Sequence, residues 1–313
     1  MIGIDGGGSG TSAVLATNEG RIEAVGSGGP ANFQVVGEEQ TVQSIVAAIS
    51  SAVNQGNALH KSEPEIAVIA VGLAGLHTPA DKDRLTRLVA DQYPASRIDL
   101  WTDADVALAA TSGDRAGIVV VAGTGAIALG RDDRGTAGRC GGWGYLIGDE
   151  GSAYAISREG LRAASQGLDG RMPPTSLAAA FVQALAVPGF DDLLRPLYGP
   201  PAMTRHQIAQ LAPLVTQCAL AGDAAARDVL VAAAGSLAAM VIALGSRLGF
   251  VDKAFPVACS GGVWKAGETI LEPFRRQVLA TFPAARVGPP QLSPAAGAVF
   301  LGMAQTGPIQ LDS

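Results

Sequence analysis

Three glycine-rich stretches and a small set of carboxylates carry the chemistry available to this chain. The first stretch, Asp5-Gly-Gly-Gly-Ser-Gly-Thr11, follows the apolar residues Ile2 and Ile4. Glycine tolerates φ > 0 and has no Cβ, so backbone N–H groups there can close on a bound anion. Asp5 adds a carboxylate at the mouth of the loop, and Ser9 and Thr11 add hydroxyls. One acid and two hydroxyls beside a glycine loop suit a phosphate accompanied by Mg²⁺, a hard cation that takes oxygen ligands and keeps several waters. Gly6, Gly7, Gly8, Ser9 and Thr11 are therefore candidate phosphate contacts, with Asp5 as the metal-side carboxylate. The second stretch is Gly123-Thr124-Gly125, and the third is Ser260-Gly261-Gly262, where backbone can lie flat against an adenosine. A single glycine turn is common. Three at strand ends, in this order, point to a bound nucleotide and to phosphoryl transfer.

A transferred phosphoryl group needs an acceptor and a carboxylate to take the acceptor's proton. Thr102-Asp103-Ala104-Asp105 follows a strand over Arg97–Trp101, at the carboxyl end where α/β sites usually lie. Asp103, nearest the strand end, is assigned as the base. The competing reading makes it the N-cap of a helix at 105–111, and Asp105 competes for either role. Arg139-Cys140-Gly-Gly142-Trp143-Gly-Tyr-Leu-Ile-Gly-Asp149-Glu150 places an aromatic among glycines, ahead of two carboxylates. Carboxylates on sugar hydroxyls beside an aromatic wall would bind a carbohydrate. Trp143 as core, with Asp149 or Glu150 capping a helix together with Ser152, fits the spacing equally well.

The elements that must hold these residues alternate. Walker and Rossmann loops both open a helix, and the Walker loop needs a lysine. Here Ser12–Thr17, Asn18-Glu-Gly20 and Arg21–Gly26 read instead as strand, turn, strand. Helix-spaced apolar residues follow over Glu38–Asn54, a buried strand over Glu65–Val71, an amphipathic helix over Asp81–Gln92 and the strand ending at Trp101. Gly117–Ala122, Gly123-Thr-Gly125 and Ala126–Gly130 then repeat the opening strand, glycine loop and strand. Beyond Gly151 the pattern is helical over Ala153–Ala164, Leu177–Ala186, Arg205–Ala219 and Ala224–Leu248. A strand at Phe255–Cys259 and helices at Glu268–Thr281 and Pro294–Gln305 complete it. Two glycine-tipped hairpins, each opening one half, predict two related α/β domains: 1–113 with 294–313, and 114–293.

Composition narrows the partners. The 313 residues carry 22 basic and 28 acidic side chains, a net charge of −6, without a basic run. Nucleic-acid binding through phosphate neutralisation is not expected. Cys140, Cys218 and Cys259 are odd in number and scattered, which excludes a disulfide framework or a zinc site. The histidines at 60, 77 and 206 form no metal triad and read as surface or satisfied residues. No run reaches the length of a membrane span, so a cytoplasmic protein without membrane contact is expected. An apolar patch on the helical half would make a homodimer.

Asp5–Thr11, Val121-Ala-Gly-Thr-Gly125, Cys140-Gly-Gly-Trp-Gly144 and Gly148-Asp-Glu-Gly-Ser-Ala-Tyr154 together resemble the BadF/BadG/BcrA/BcrD-type ATPases, within which they are most similar to N-acetylglucosamine kinases. The resemblance covers essentially the whole chain. It implies an actin/hexokinase/Hsp70-type fold, two ribonuclease-H-like domains with a cleft that takes ATP, Mg²⁺ and an amino sugar. It assigns Asn32, Asp103 and Asp149 to sugar hydroxyls, with Asp103 as base for the 6-hydroxyl. Thr124, Cys140, Gly142 and Trp143 would line the sugar, Gly8 and Thr11 would contact phosphate with Asp5 near Mg²⁺, and Gly261 and Gly262 would approach adenosine. Another branch of the family activates CoA-ester reductases and dehydratases through a cluster shared between subunits. That needs two cysteines near the domain junction, where this chain has Cys140 alone. A non-catalytic sugar sensor of the same fold would usually append a DNA-binding module, for which the sequence shows no segment. Which amino sugar is taken, N-acetylglucosamine, glucosamine or N-acetylmuramic acid, turns on one substituent.

Overall fold

In a computed structural model of the protein, residues 1–8, 10–60, 65–76, 78–93, 95, 97–113 and 116–304 are described. The chain opens with three strands, β1 (Ile2–Gly6), β2 (Thr11–Ala16) and β3 (Ile22–Gly28). Then come α1 (Phe33–His60), β4 (Val68–Leu73), α2 (Pro79–Gln92), β5 (Arg97–Thr102) and α3 (Asp103–Ser112). The strands form one sheet in the order β3-β2-β1-β4-β5. β1 and β2 are antiparallel, from Ile2 opposite Leu15 to Gly6 opposite Thr11, so the first glycine loop is the tip of a hairpin. β4 and β5 run parallel to β1, which brings the ends of β1, β4 and β5 to one edge. Fully buried Ile2, Ile4, Ile69 and Leu73 on the strands pack with Ile45 and Ile49 of α1. The helix begins before Glu38: a turn from Phe33 precedes Gly37, whose φ of 77° and ψ of 176° break the helical path.

The second sheet contains β6 (Gly117–Ala122), β7 (Ala126–Arg131) and β8 (Ala137–Gly141), followed much later by β9 (Pro256–Ser260) and β10 (Arg286–Gly288). Its order, β10-β9-β6-β7-β8, matches the first sheet strand for strand. β8 and β10 were not expected, because β10 has three residues and β8 two glycines, too little for a period-two pattern. Between β8 and β9 lie α4 (Ala153–Leu168), α5 (Leu177–Ala184), α6 (Leu194–Tyr198), α7 (Arg205–Ala209), α8 (Ala212–Leu220) and α9 (Ala224–Arg247). The single helix expected over Arg205–Ala219 is two. Pro213 lies in the first turn of α8, where its missing N–H costs nothing, but within a continuous helix it would leave a carbonyl unpaired.

α9 corrects another expectation, since it is long and apolar enough to cross a membrane by length and composition. Its fully buried Leu237, Val241 and Leu244 mark it as a core helix, packed against α4, α8 and α10 (Glu268–Thr281). The last helix, α11 (Pro294–Ala304), packs on β1 and α3. Two compact units result. One comprises Met1–Val119, Arg131–Ala137 and the chain from Pro289; the other comprises Val120–Gly130 and Gly138–Gly288.

Candidate active site

In the first unit, the loop after β1 is tied down on three sides. Gly7 N–H donates to Gly10 C=O at 2.9 Å, Ala31 N–H to Gly7 C=O at 2.9 Å, and Ala74 N–H to Gly6 C=O at 2.9 Å. These bonds bring the Asp5 loop, Asn32 and the end of β4 together. A Cβ on Gly6 would lie 2.5 Å from Leu73 Cδ2, whereas one on Gly8 would meet nothing, so Gly8 stands at the open tip. Thr11 is buried and donates its hydroxyl to Gly29 C=O at 2.7 Å, which ties β2 to the loop after β3 rather than presenting a donor at the tip. Ser9 lies outside the described residues. Asn32 accepts Gln34 N–H on its Oδ1 at 3.2 Å and opens α1, facing Gly75 at φ 81°.

The two acids after β5 separate cleanly. The N-cap of α3 is Thr102, and neither Asp103 nor Asp105 holds that position. Asp105 Oδ2 accepts Thr102 N–H at 3.0 Å while Thr102 Oγ1 accepts Asp105 N–H at 3.1 Å, a capping box that engages one oxygen of the Asp105 carboxylate. Asp103 occupies the first helical position and accepts Ala104 N–H at 3.0 Å. Asp5 has its carboxyl pushed up to about 7, first by desolvation and then by the negative charge of Asp103. The two acids therefore share one electrostatic environment at the edge where β1 and β5 end. A carboxylate held that far above its ordinary range is relieved by a cation. The donor set is oxygen only, and no group of three or more His, Cys, Asp or Glu gathers among the described residues. An oxygen donor fits Mg²⁺, which completes its shell with waters and phosphate oxygens.

In the second unit, Ala126 is the anchor. Its N–H donates to Asp149 Oδ1 at 3.2 Å, and its C=O accepts Gly142 N–H at 3.0 Å. Gly123 C=O accepts Ala153 N–H at 2.8 Å from the first turn of α4. The sequence-assigned Thr124, Gly125, Gly142 and Asp149 are thus gathered around one short turn. Asp149 is buried and sits at φ 60°, an uncommon conformation for a residue with a side chain. Ser152 caps α4 by accepting Ala155 N–H, so the capping alternative for Asp149 does not hold. Nor is Trp143 core: it is 62% exposed, with the Arg139 guanidinium 4.4 Å from its ring centre. Cys140 is half-buried at the end of β8, and Cys259 is a desolvated thiol pushed up to about 12. Gly261, at φ 101°, lies so close to β6 that a Cβ would fall 2.4 Å from Ala122 C=O; Gly262 is open.

Two residues were not anticipated. Arg205 Nη2 lies 3.7 Å from Asp149 Oδ2, and His206 Nδ1 lies 3.4 Å from Thr124 Oγ1. The available signal was Thr204-Arg-His-Gln207, which forms a capping box and so begins a helix at Arg205. It tells where α7 starts but not what it meets.

Glycine-tipped loops on two sheets of one topology, with a carboxylate after β5, are the arrangement of the actin-like ATPase fold. The chain belongs to the BadF/BadG/BcrA/BcrD ATPase family, whose model matches residues 2–302. It is 30% identical over 313 residues to an N-acetyl-D-glucosamine kinase of Dictyostelium discoideum, covering 97% of each chain. It is 29% identical over 305 residues to an N-acetylmuramic acid/N-acetylglucosamine kinase of Clostridium acetobutylicum, covering 97% of this chain and 98% of the other. Among solved structures, a candidate N-acetylglucosamine kinase from Chromobacterium violaceum superposes with a TM-score of 0.75 at 27% identity, covering 96% of this chain and 98% of the other.

Proposed function

We propose that this enzyme phosphorylates the 6-hydroxyl of an amino sugar of the N-acetylglucosamine or glucosamine type, with Asp103 as the general base. The observation that carries the assignment is the division of labour after β5. Asp105 is locked into its capping box, while Asp103, at the first position of α3, lies within electrostatic reach of Asp5. Amino-sugar kinases among the relatives supply the substrate class.

Bound MgATP supplies the phosphoryl group and a cation that neutralises its charge. Asp5 would hold the cation's shell, and backbone N–H groups of Gly7–Gly8 and Gly123–Gly125 would hold phosphate oxygens. Asn32 and Asp149 would orient sugar hydroxyls, beside Thr124, Cys140, Gly142 and the exposed face of Trp143. Gly261 and Gly262 would lie against the adenosine. Asp103 takes the proton of the attacking hydroxyl as its oxygen bonds the γ-phosphorus and the bond from that phosphorus to the ADP oxygen breaks, a contribution of about 100- to 10,000-fold in rate.

The test is a coupled ADP-release assay over a panel of amino sugars and hexoses. Asp103→Asn should lose about that factor in turnover while nucleotide binding persists. Undiminished turnover in Asp103→Asn removes Asp103 as the base, and no turnover with any amino sugar removes the substrate class.

A further inference from the structure

We propose that Arg205 and His206, adjacent at the start of α7, are positioning residues for the sugar-facing carboxylate Asp149 and for Thr124. The inference rests on the amino-sugar kinase reading for what those two groups touch. The contacts themselves are independent of it.

Asp149 is buried, and a buried carboxylate is costly unless it is hydrogen-bonded and neutralised. One oxygen is satisfied by Ala126 N–H; the other faces Arg205 Nη2 at 3.7 Å. The guanidinium carbon lies 5.6 Å from the Tyr145 ring centre, and its buried Nε has no hydrogen-bond partner among the described residues. Gly125 explains the fit. A Cβ there would lie 2.8 Å from Asp149 Oδ2 and 2.9 Å from Arg205 Nη2, so the second glycine of the turn is the space in which the pair meets.

His206 acts on the other side of the same turn. His206 Nδ1 lies 3.4 Å from Thr124 Oγ1, and its Nε2 lies 3.2 Å from Gln210 Nε2. A ring engaged at both nitrogens gives the Thr124 hydroxyl a fixed partner. Arg205 fixes where the carboxylate sits; His206 fixes the Thr124 hydroxyl.

The experiment compares Arg205→Met, Arg205→Lys and His206→Phe with wild type by steady-state kinetics on the amino sugar that wild type turns over. Arg205→Met should raise KM for the sugar about tenfold, as expected for a lost contact to a charged group, with KM for ATP unchanged. Arg205→Lys should recover part of the loss, and His206→Phe should raise the sugar KM alone. Equal changes in both KM values, or none, would overturn the proposal. A double-mutant cycle of Arg205→Met with Asp149→Asn, read by unfolding midpoint, needs no turnover. Non-additive midpoints are expected and additive ones refute the pair. If wild type phosphorylates no amino sugar, the functional reading falls while the cycle still judges the pair.

Discussion

A carboxyl group titrating near 7 beside a second acid makes Asp5 sensitive to both protons and cations. Its folded pKa lies above the ordinary value of 3.8, so its protonated form stabilises the fold. That contribution is complete below about pH 4 and is lost as pH rises through 7. Asp5 keeps partial contact with solvent, which holds the effect to roughly 1–3 kcal/mol. In ligand-free protein, the thermal midpoint of wild type should therefore fall more between pH 5 and 8 than that of Asp5→Asn. Binding of MgATP should release a proton from this carboxyl, seen calorimetrically as a heat that varies with buffer ionisation enthalpy. Identical pH profiles for wild type and Asp5→Asn would show that Asp5 does not titrate there.

Among the elements, α9 depends most visibly on one side chain. Asp223 caps it, Oδ1 accepting Ala226 N–H at 3.0 Å. Asp223 Oδ2 accepts from Thr175 Oγ1 at 2.8 Å, Ser176 N–H at 2.6 Å and Ser176 Oγ at 2.8 Å. Burial pushes this carboxyl up, but the four donors outweigh it and bring it down to about 2. A depressed pKa stabilises above the ordinary value of 3.8 and loses that stability as pH falls through about 2. Asp223→Ala should cost about 1–3 kcal/mol in urea denaturation at pH 7, the worth of a cap and its further hydrogen bonds. The penalty should shrink in acid. A loss that stays constant down to pH 2 would assign the effect to packing. The sequence located the helix from Ala224 but not its cap. Nor did it show that the same side chain joins the start of α5 to α9, because Thr175 and Ser176 reach it through the fold.

For the molecule as a whole, close backbone approach decides how α11 completes its unit. A Cβ on Gly297 would lie 2.1 Å from Val106 C=O and 2.7 Å from Ala110 N, and one on Gly3 would lie 2.2 Å from Ala295 C=O. These obstacles are backbone atoms, which cannot rotate away. Gly297→Ala should therefore destabilise by about 1–3 kcal/mol or more through overpacking, despite its gain in helix propensity. Differential scanning calorimetry should show a lowered midpoint; an unchanged or raised one would mean that α11 shifts freely on α3.

The sequence by itself determined what short-range physics encodes. Hairpin punctuation after the first glycine loop excluded a helix-opening phosphate loop, periodicity located most helices and strands, and motif resemblance identified the family. The sequence did not reveal the Thr102–Asp105 capping box, leaving the two acids themselves to compete as the cap. Only the tertiary structure decided that Asp149 is buried on Ala126 rather than capping α4, that Trp143 stands exposed, and that β8 and β10 complete the second sheet. It alone brought Arg205 and His206 to the turn at Thr124–Gly125. The physical reason is range. Propensity, capping and period act over a few residues and leave marks in the chain, whereas a guanidinium meeting a carboxylate from another element leaves none until packing joins them.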